Sequence, residues 1–218
     1  MIKKLLFLFA LCTVPMLVLA ADAQRPVDEP LYAEGMDYHL IVPSLPSVDN
    51  GKVEVVEMFW YGCPHCFRFD PDVNKWLQGA PDYIEFKRMP AIFNNPTWQL
   101  HATAFYTAEA LGVLEKLHQP LFDAINVHKR PLNSEELLQQ FFLEQGVSEA
   151  DFSKTFSSFA VKTRVNRAAD ISGKSGLTGV PVILVACKYR IDGPTAGSYE
   201  RLLKIFTFLA DKEHKGGS

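Results

Sequence analysis

The sequence predicts an α/β fold in which an all-helical stretch separates two strand-bearing segments. Three observations carry this. Val53 to Tyr61 (VEVVEMFWY) is a nearly continuous apolar run, as expected of a central strand covered on both faces. Between Pro90 and Gly179 the apolar residues recur at helical spacing, as in Leu100, Ala104, Ala108 and Leu111, then Leu117, Leu121 and Ile125. Strand character returns at Val182, which gives the order β-β-α-β, a helical block, then β-β-α.

Taken in order, residues 21–37 are a polar, proline-containing arm, and Tyr38 to Val42 is a short strand. Pro43 to Gly51 is a turn-rich connection before the central strand. Gly62 ends that strand, and Cys63-Pro64-His65-Cys66 opens a helix reaching about Gln78. Pro64 suits the first helical position, where no N–H is needed, and Pro71 is expected to kink the helix. Tyr83 to Met89 is the next strand. In the helical block, Asn133 with Glu136 starts one helix and Gly146 ends it. Ser148 with Asp151 starts another that runs to about Ile171. Val182–Val185, a two-residue break at Ala186-Cys187, and Lys188–Ile191 form a hairpin. A last helix, capped by Ser198, runs from Tyr199 to about Asp211 before a frayed tail.

The 218 residues are 48% hydrophobic and 22% charged, a balance that excludes a disordered, collagen-like or coiled-coil chain. A formal net charge of −3 argues against nucleic acid as a partner, because that surface needs clustered excess Lys and Arg. Four cysteines are too few for a disulfide-stapled scaffold. The N-terminus combines Lys3 and Lys4, an apolar run from Leu5 to Leu19, and small residues around Ala20 and Ala23. That is the pattern of a secretory signal (residues 1–20), cleaved near Ala20 or Ala23 and removing Cys12. The exported chain then meets an oxidising compartment with Cys63, Cys66 and Cys187.

Two cysteines three residues apart at a strand-to-helix junction suit thiol–disulfide exchange. Cys63, at or beside the N-cap, faces unsatisfied N–H groups and the positive end of the helix dipole, both of which favour a thiolate. Cys66, one turn further in, is sheltered and able to resolve a mixed disulfide. His65 can donate a hydrogen bond, or positive charge when protonated, to the Cys63 thiolate. Stabilising the reduced form in this way makes the disulfide an oxidant. Glu57 interrupts the apolar strand: it is either partly buried, raised in pKa and able to exchange a proton with Cys66, or turned to a solvated edge. Thr178-Gly179-Val180-Pro181 precedes the hairpin. Pro181 opens that strand; local sequence favours an ordinary trans peptide, since cis is the minority isomer, but the place can accommodate cis, and the Val180 backbone would then be free to pair with an extended substrate.

No metal is expected: a zinc site wants four ligands, and there is no second CxxC. Haem attachment would need histidine where Phe67 stands. His39, His101, His118, His128 and His214 are scattered, and Trp60, Tyr61 and Phe67 flank the pair as core or groove residues. Cys187 is either buried and inert or a site of mixed-disulfide or dimer formation. It is expected at the far end of the strand that Pro181 opens, out of reach of Cys63.

EMFWYGCPHC, the later TGVP, the helical block between them and the export signal together resemble the DsbA family of periplasmic thiol:disulfide oxidoreductases, over essentially the whole mature chain. The resemblance implies a thioredoxin fold with an inserted all-helical domain: signal 1–20, thioredoxin parts 21–92 and 172–218, insert 93–171. It implies Cys63 as nucleophile, Cys66 as its partner, Val180-Pro181 as the cis-proline loop and Glu57 as the buried acid. It further implies a monomer without cofactor that oxidises reduced exported proteins and is itself reoxidised by a quinone-linked membrane oxidase of the DsbB type. Other uses of the residues are a disulfide isomerase or reductase, or a CxxC metal chaperone. Two features depart from the family: Ala186-Cys187 replaces the usual Asn-Gly turn, and the lysine that often accompanies the buried acid has only Lys87 as a candidate.

Overall fold

The computed structural model describes residues 31–46 and 50–216. The export signal with Cys12, and most of the arm at 21–37, lie outside the described residues. Among the described residues five strands form one mixed sheet in the order β1-β5-β4-β2-β3. β2 (Val53–Phe59) is central, parallel to β3 (Ile84–Pro90) and antiparallel to β4 (Val182–Val185). β4 pairs antiparallel with β5 (Tyr189–Asp192), which pairs antiparallel with β1 (His39–Leu40). β1 is shorter than the Tyr38–Val42 expected because its partner β5 begins at Tyr189, opposite Leu40; beyond that, Ile41 N donates to Lys188 O in the turn. Every residue of β2 except Glu54 is buried, which is why its sequence reads as unbroken apolar.

α1 (Pro64–Leu77) follows β2 directly, and α2 (Pro96–Ala110), α3 (Leu114–Asn126), α4 (Glu135–Glu144), α5 (Glu149–Phe156) and α6 (Phe159–Lys174) all fall between β3 and β4. Three expectations change. The cap of α4 is Ser134, not Asn133: its side chain accepts from Leu137 N. The single helix expected from Ser148 to Ile171 is two, broken at Ser157-Ser158. Ser158 holds extended backbone (φ −67°, ψ 151°) and accepts from Val161 N, so it caps a new helix instead of continuing the old one. The final helix, α7 (Tyr199–Gly216), continues past Asp211, with His214 and Lys215 suited to the negative end of its dipole.

The hairpin also differs by one residue. Ala186, Cys187 and Lys188 form the turn, closed by Lys188 N donating to Val185 O at 3.0 Å, so β5 starts at Tyr189. Ala186 and Cys187 both take positive φ (50° and 55°).

Among the described residues three apolar clusters hold the structure. One face of the sheet packs Val55, Ile183 and Ile191 against Phe69 of α1 and Leu202 and Phe206 of α7. The other packs Val56, Met58 and Leu184 against Ile41, Leu45 and Leu177. The third joins the end of β2 to the helical block, with Phe59 and Tyr61 against Phe105, Leu121 and Phe122. Cys63 and Cys66 belong to this third cluster, at the seam between sheet and helices.

Candidate active site

Cys63 is the N-cap of α1, with extended backbone (φ −92°, ψ 113°) and Pro64 in the first turn. Its sulfur accepts from Cys66 N at 3.4 Å. The side chain is 7% exposed, whereas Cys66 is wholly buried. Burial, donation to the Cys63 sulfur and the negative charges nearby push the Cys66 thiol well above its ordinary value. Cys63 moves the other way, from 9.0 to about 6. The hydrogen bond from Cys66 lowers it most, burial opposes, and backbone N–H groups of Cys66 and His65 and the charge of Arg68 add to the lowering. The two sulfurs are thus driven apart, one proton resting on the inner one.

Across the seam, Cys63 Sγ lies 3.5 Å from the carbonyl oxygen of Val180, and the Val180–Pro181 peptide is cis. Gly193 N donates to Pro181 O at 3.0 Å, which ties this loop to the end of β5. On the other side, the Trp60 ring lies against Gly62 so closely that a Cβ there would come within 2.3 Å of it. Trp60 stacks on Trp98 (centroids 4.3 Å, planes 9° apart) and on His101.

Glu57 is 1% exposed. Burial raises its carboxyl from 4.5 to about 7, against the opposing charge of Arg88 and with the help of Asp70 and Cys63. Its partner is Arg88, directly opposite it in the parallel β2–β3 register, with Nε 3.4 Å from Glu57 Oε2. Lys87 is not the partner; it pairs with Glu54 and Glu85 at 2.8 and 2.9 Å. Adjacent residues of a strand face opposite sides, so only one of Lys87 and Arg88 can reach Glu57.

These observations place a stabilised sulfur at a helix start, a sheltered sulfur one turn inside, a cis-proline loop against the first, and a buried acid on the strand leading in. A family model described as a DSBA-like thioredoxin domain matches residues 54–204. The chain belongs to the DsbA-like thioredoxin-domain family. It is 36% identical over 211 residues to the thiol:disulfide interchange protein DsbA of Pseudomonas syringae pv. tomato, covering 97% of this chain and 96% of that one. To the DsbA of Pseudomonas aeruginosa it is 37% identical over 182 residues, 84% of this chain and 86% of the relative. The crystal structure of Pseudomonas aeruginosa DsbA superposes with a TM-score of 0.80 at 36% identity, covering 85% of this chain and 96% of that one. The oxidoreductase DsbA from Xylella fastidiosa does so with a TM-score of 0.79 at 31% identity, covering 85% and 100%. The fold is accordingly the DsbA-like thioredoxin fold with its helical insertion.

Within this DsbA-like site, the structure brings Cys63, Pro64, His65, Cys66, Val180 and Pro181 together, and sets Glu57 behind them. Cys187 is elsewhere, in the β4–β5 turn. Its sulfur lies near Pro46 O and Glu54 Oε1, and burial pushes its thiol up to about 11. That agrees with the buried, inert reading. Among the described residues no group of three His, Cys, Asp or Glu side chains is placed to hold a metal.

Several site residues had no sequence signal. Tyr199, the first residue of α7, donates its hydroxyl to the His65 carbonyl at 3.0 Å. Asn126 Nδ2 donates to the Tyr61 carbonyl at 2.8 Å. Behind Glu57, Arg88 Nη2 reaches Asp70 at 2.9 Å, and His118 Nε2 lies 3.3 Å from the same carboxylate oxygen. Tyr61 Oη meets His118 Nδ1 at 2.9 Å. Burial lowers the His118 pKa, so the ring is neutral; the Asp70 carboxylate can only accept, which puts the ring hydrogen on Nε2 and leaves Nδ1 to accept from the Tyr61 hydroxyl. Burial alone would raise Asp70, but the His118 hydrogen bond and the Arg88 charge hold it below the usual carboxylate range. His118 and Tyr61 carried only the default of scattered histidine and core aromatic.

Proposed function

We propose that this thiol:disulfide oxidoreductase is a dithiol oxidase that passes a Cys63–Cys66 disulfide to newly exported proteins. The observation that carries the proposal is the opposite displacement of the two sulfurs, Cys63 down to about 6 and Cys66 well up. A substrate thiolate attacks Cys63 Sγ; the Cys63–Cys66 bond breaks, and Cys66 leaves as a thiolate. That leaving group is buried and basic, so it takes a proton, and Glu57, at about 7, is the carboxyl on hand to supply it. The substrate's second thiolate then attacks its own sulfur in the mixed disulfide and expels Cys63. Two electrons pass from the substrate dithiol to the pair. Cys63 departs as the stabilised thiolate, the better leaving group.

Val180 and Pro181 are the substrate-binding segment in this reading, because the Val180 carbonyl already stands at hydrogen-bond range of the reacting sulfur. Contact through backbone makes recognition tolerant of sequence. The work is periplasmic, on the strength of the N-terminal export pattern. Reoxidation falls to a quinone-linked membrane oxidase of the DsbB type, and the chain acts as a monomer, built as thioredoxin parts 21–92 and 172–218 around the insert 93–171.

The test is oxidation of a reduced dithiol peptide by the oxidised chain, with Cys63→Ser as control, together with the potential of the pair against glutathione. Rapid oxidation that is lost in the variant, and a potential well above that of thioredoxin, are expected. A variant as active as the parent removes the proposal; a thioredoxin-like potential replaces it with a reductase.

A further inference from the structure

We propose that Arg68 is a positioning residue for this exchange: it selects the tautomer of His65 and supplies the standing positive charge beside Cys63. The proposal rests on the reading of Cys63 as the attacking sulfur and sharpens what tunes it.

Arg68 follows His65 by three residues on α1, so the two side chains share a helix face. Arg68 Nη2 lies 3.0 Å from His65 Nδ1. A guanidinium can only donate, so Nδ1 must present its lone pair and the ring hydrogen must sit on Nε2. A doubly protonated ring has no lone pair to offer, so this contact exists only with neutral imidazole. In this arrangement the His65 ring brings no charge, and what His65 itself gives Cys63 is its backbone N–H. The positive charge near the thiolate belongs to Arg68.

This differs from the reading in which His65 itself supplies the charge. An imidazole ring carries charge only when both nitrogens hold hydrogen, which the Arg68 contact excludes, whereas a guanidinium is a cation without that condition. The groups around Cys63 are consistent with the assignment. Cys66 donates to it, the buried carboxyl of Glu57 opposes a negative sulfur, and Arg68 is the cation that acts on it. The backbone of His65 is held independently by the Tyr199 hydroxyl at its carbonyl, which leaves the ring as the part that Arg68 orients.

The experiment uses the full reduced chain as parent, Arg68→Gln and Arg68→Met. Glutamine keeps an N–H donor for Nδ1 and loses the charge; methionine loses both. Two readouts are taken against pH: thiolate absorbance of Cys63, and the ¹⁵N shifts of the His65 ring, which report the tautomer. In both variants the Cys63 acid constant is expected to fall about threefold, the size of an exposed charge contact. The difference should shrink in high salt, because the Arg68 side chain is exposed. The Nε2–H tautomer should persist in Arg68→Gln and become mixed in Arg68→Met.

An unchanged Cys63 midpoint in either variant overturns the charge assignment, and a parent ring protonated on Nδ1 overturns the tautomer. Failure of the underlying active-site reading looks different. It appears as a parent midpoint near the ordinary thiol value of 9.0 in place of about 6.

Discussion

Reactivity at Cys63 depends on where its proton goes, and the helix start decides that. With its thiol lowered from 9.0 to about 6, Cys63 is mostly thiolate at neutral pH while Cys66 remains a thiol. Alkylation by iodoacetamide, mapped by mass, should therefore rise with a midpoint near pH 6 at Cys63 and leave Cys66 unlabelled at neutral pH. Labelling of both at equal rate would contradict the split. The same shift enters stability. A folded pKa below the unfolded one stabilises the reduced chain fully above pH 9, and that stabilisation is lost as pH falls through about 6. At pH 7 it amounts to about 1.4 kcal/mol, or about 30 mV in favour of the reduced form. The cysteine spacing, the glycine before it and the proline within it made this residue legible from sequence. Arg88 was not legible. Its place opposite Glu57 follows from a parallel register that no local pattern encodes, and Lys87, one residue away, faces the other side of the sheet.

Elements were legible wherever hydrophobic period and cap agreed, as in β2, α1 and the β4–β5 hairpin, and misjudged where a polar residue had two uses. Ser157 and Ser158 fit a helix by composition, yet Ser158 turns its hydroxyl to Val161 N and divides the expected helix into α5 and α6. The hairpin turn shows the reverse: both strands form, β5 one residue later than expected, although the turn residues are poor. Ala186 and Cys187 hold left-handed φ of 50° and 55°, which costs a non-glycine residue roughly 1 kcal/mol or more. Val182 to Val185 are wholly buried between β2 and β5, and this packing is what offsets the turn. Ala186→Gly should therefore raise stability by about 0.5–1 kcal/mol in urea unfolding. Its oxidase activity should stay at the parent level, since the turn is at the far end of β4 from Pro181. A loss of stability would mean that the turn is not strained.

At the scale of the whole molecule, the seam between the sheet and the helical block buries titratable groups whose pH effects oppose one another. His118 joins α3 to Asp70 of α1 across 48 residues of sequence, a distance that hides it from any reading by spacing. Burial lowers both His118 and His101, the latter from 6.5 to about 4. For these rings the folded state refuses a proton that the unfolded chain accepts. Their stabilisation is full above pH 6.5 and is lost as pH falls toward the folded value. Glu57 has the opposite sense. Raised from 4.5 to about 7, it costs the folded chain nothing below pH 4.5 and progressively more as pH climbs to 7. The shifts of Glu57 and His101 are each worth about 3 kcal/mol and act in opposite senses over pH 4.5 to 7, with His118 acting in the same sense as His101. Glu57→Gln removes one side of that balance. Urea unfolding of the reduced variant and parent should nearly coincide at pH 4.5. By pH 8 the variant should be the more stable by about 1–3 kcal/mol, since Arg88 retains Asp70 as a partner. The Cys63 contribution is common to both chains and drops out of the difference. A gap that does not change with pH would mean that Glu57 is ionised throughout, and the proton it is proposed to give Cys66 would have to come from elsewhere.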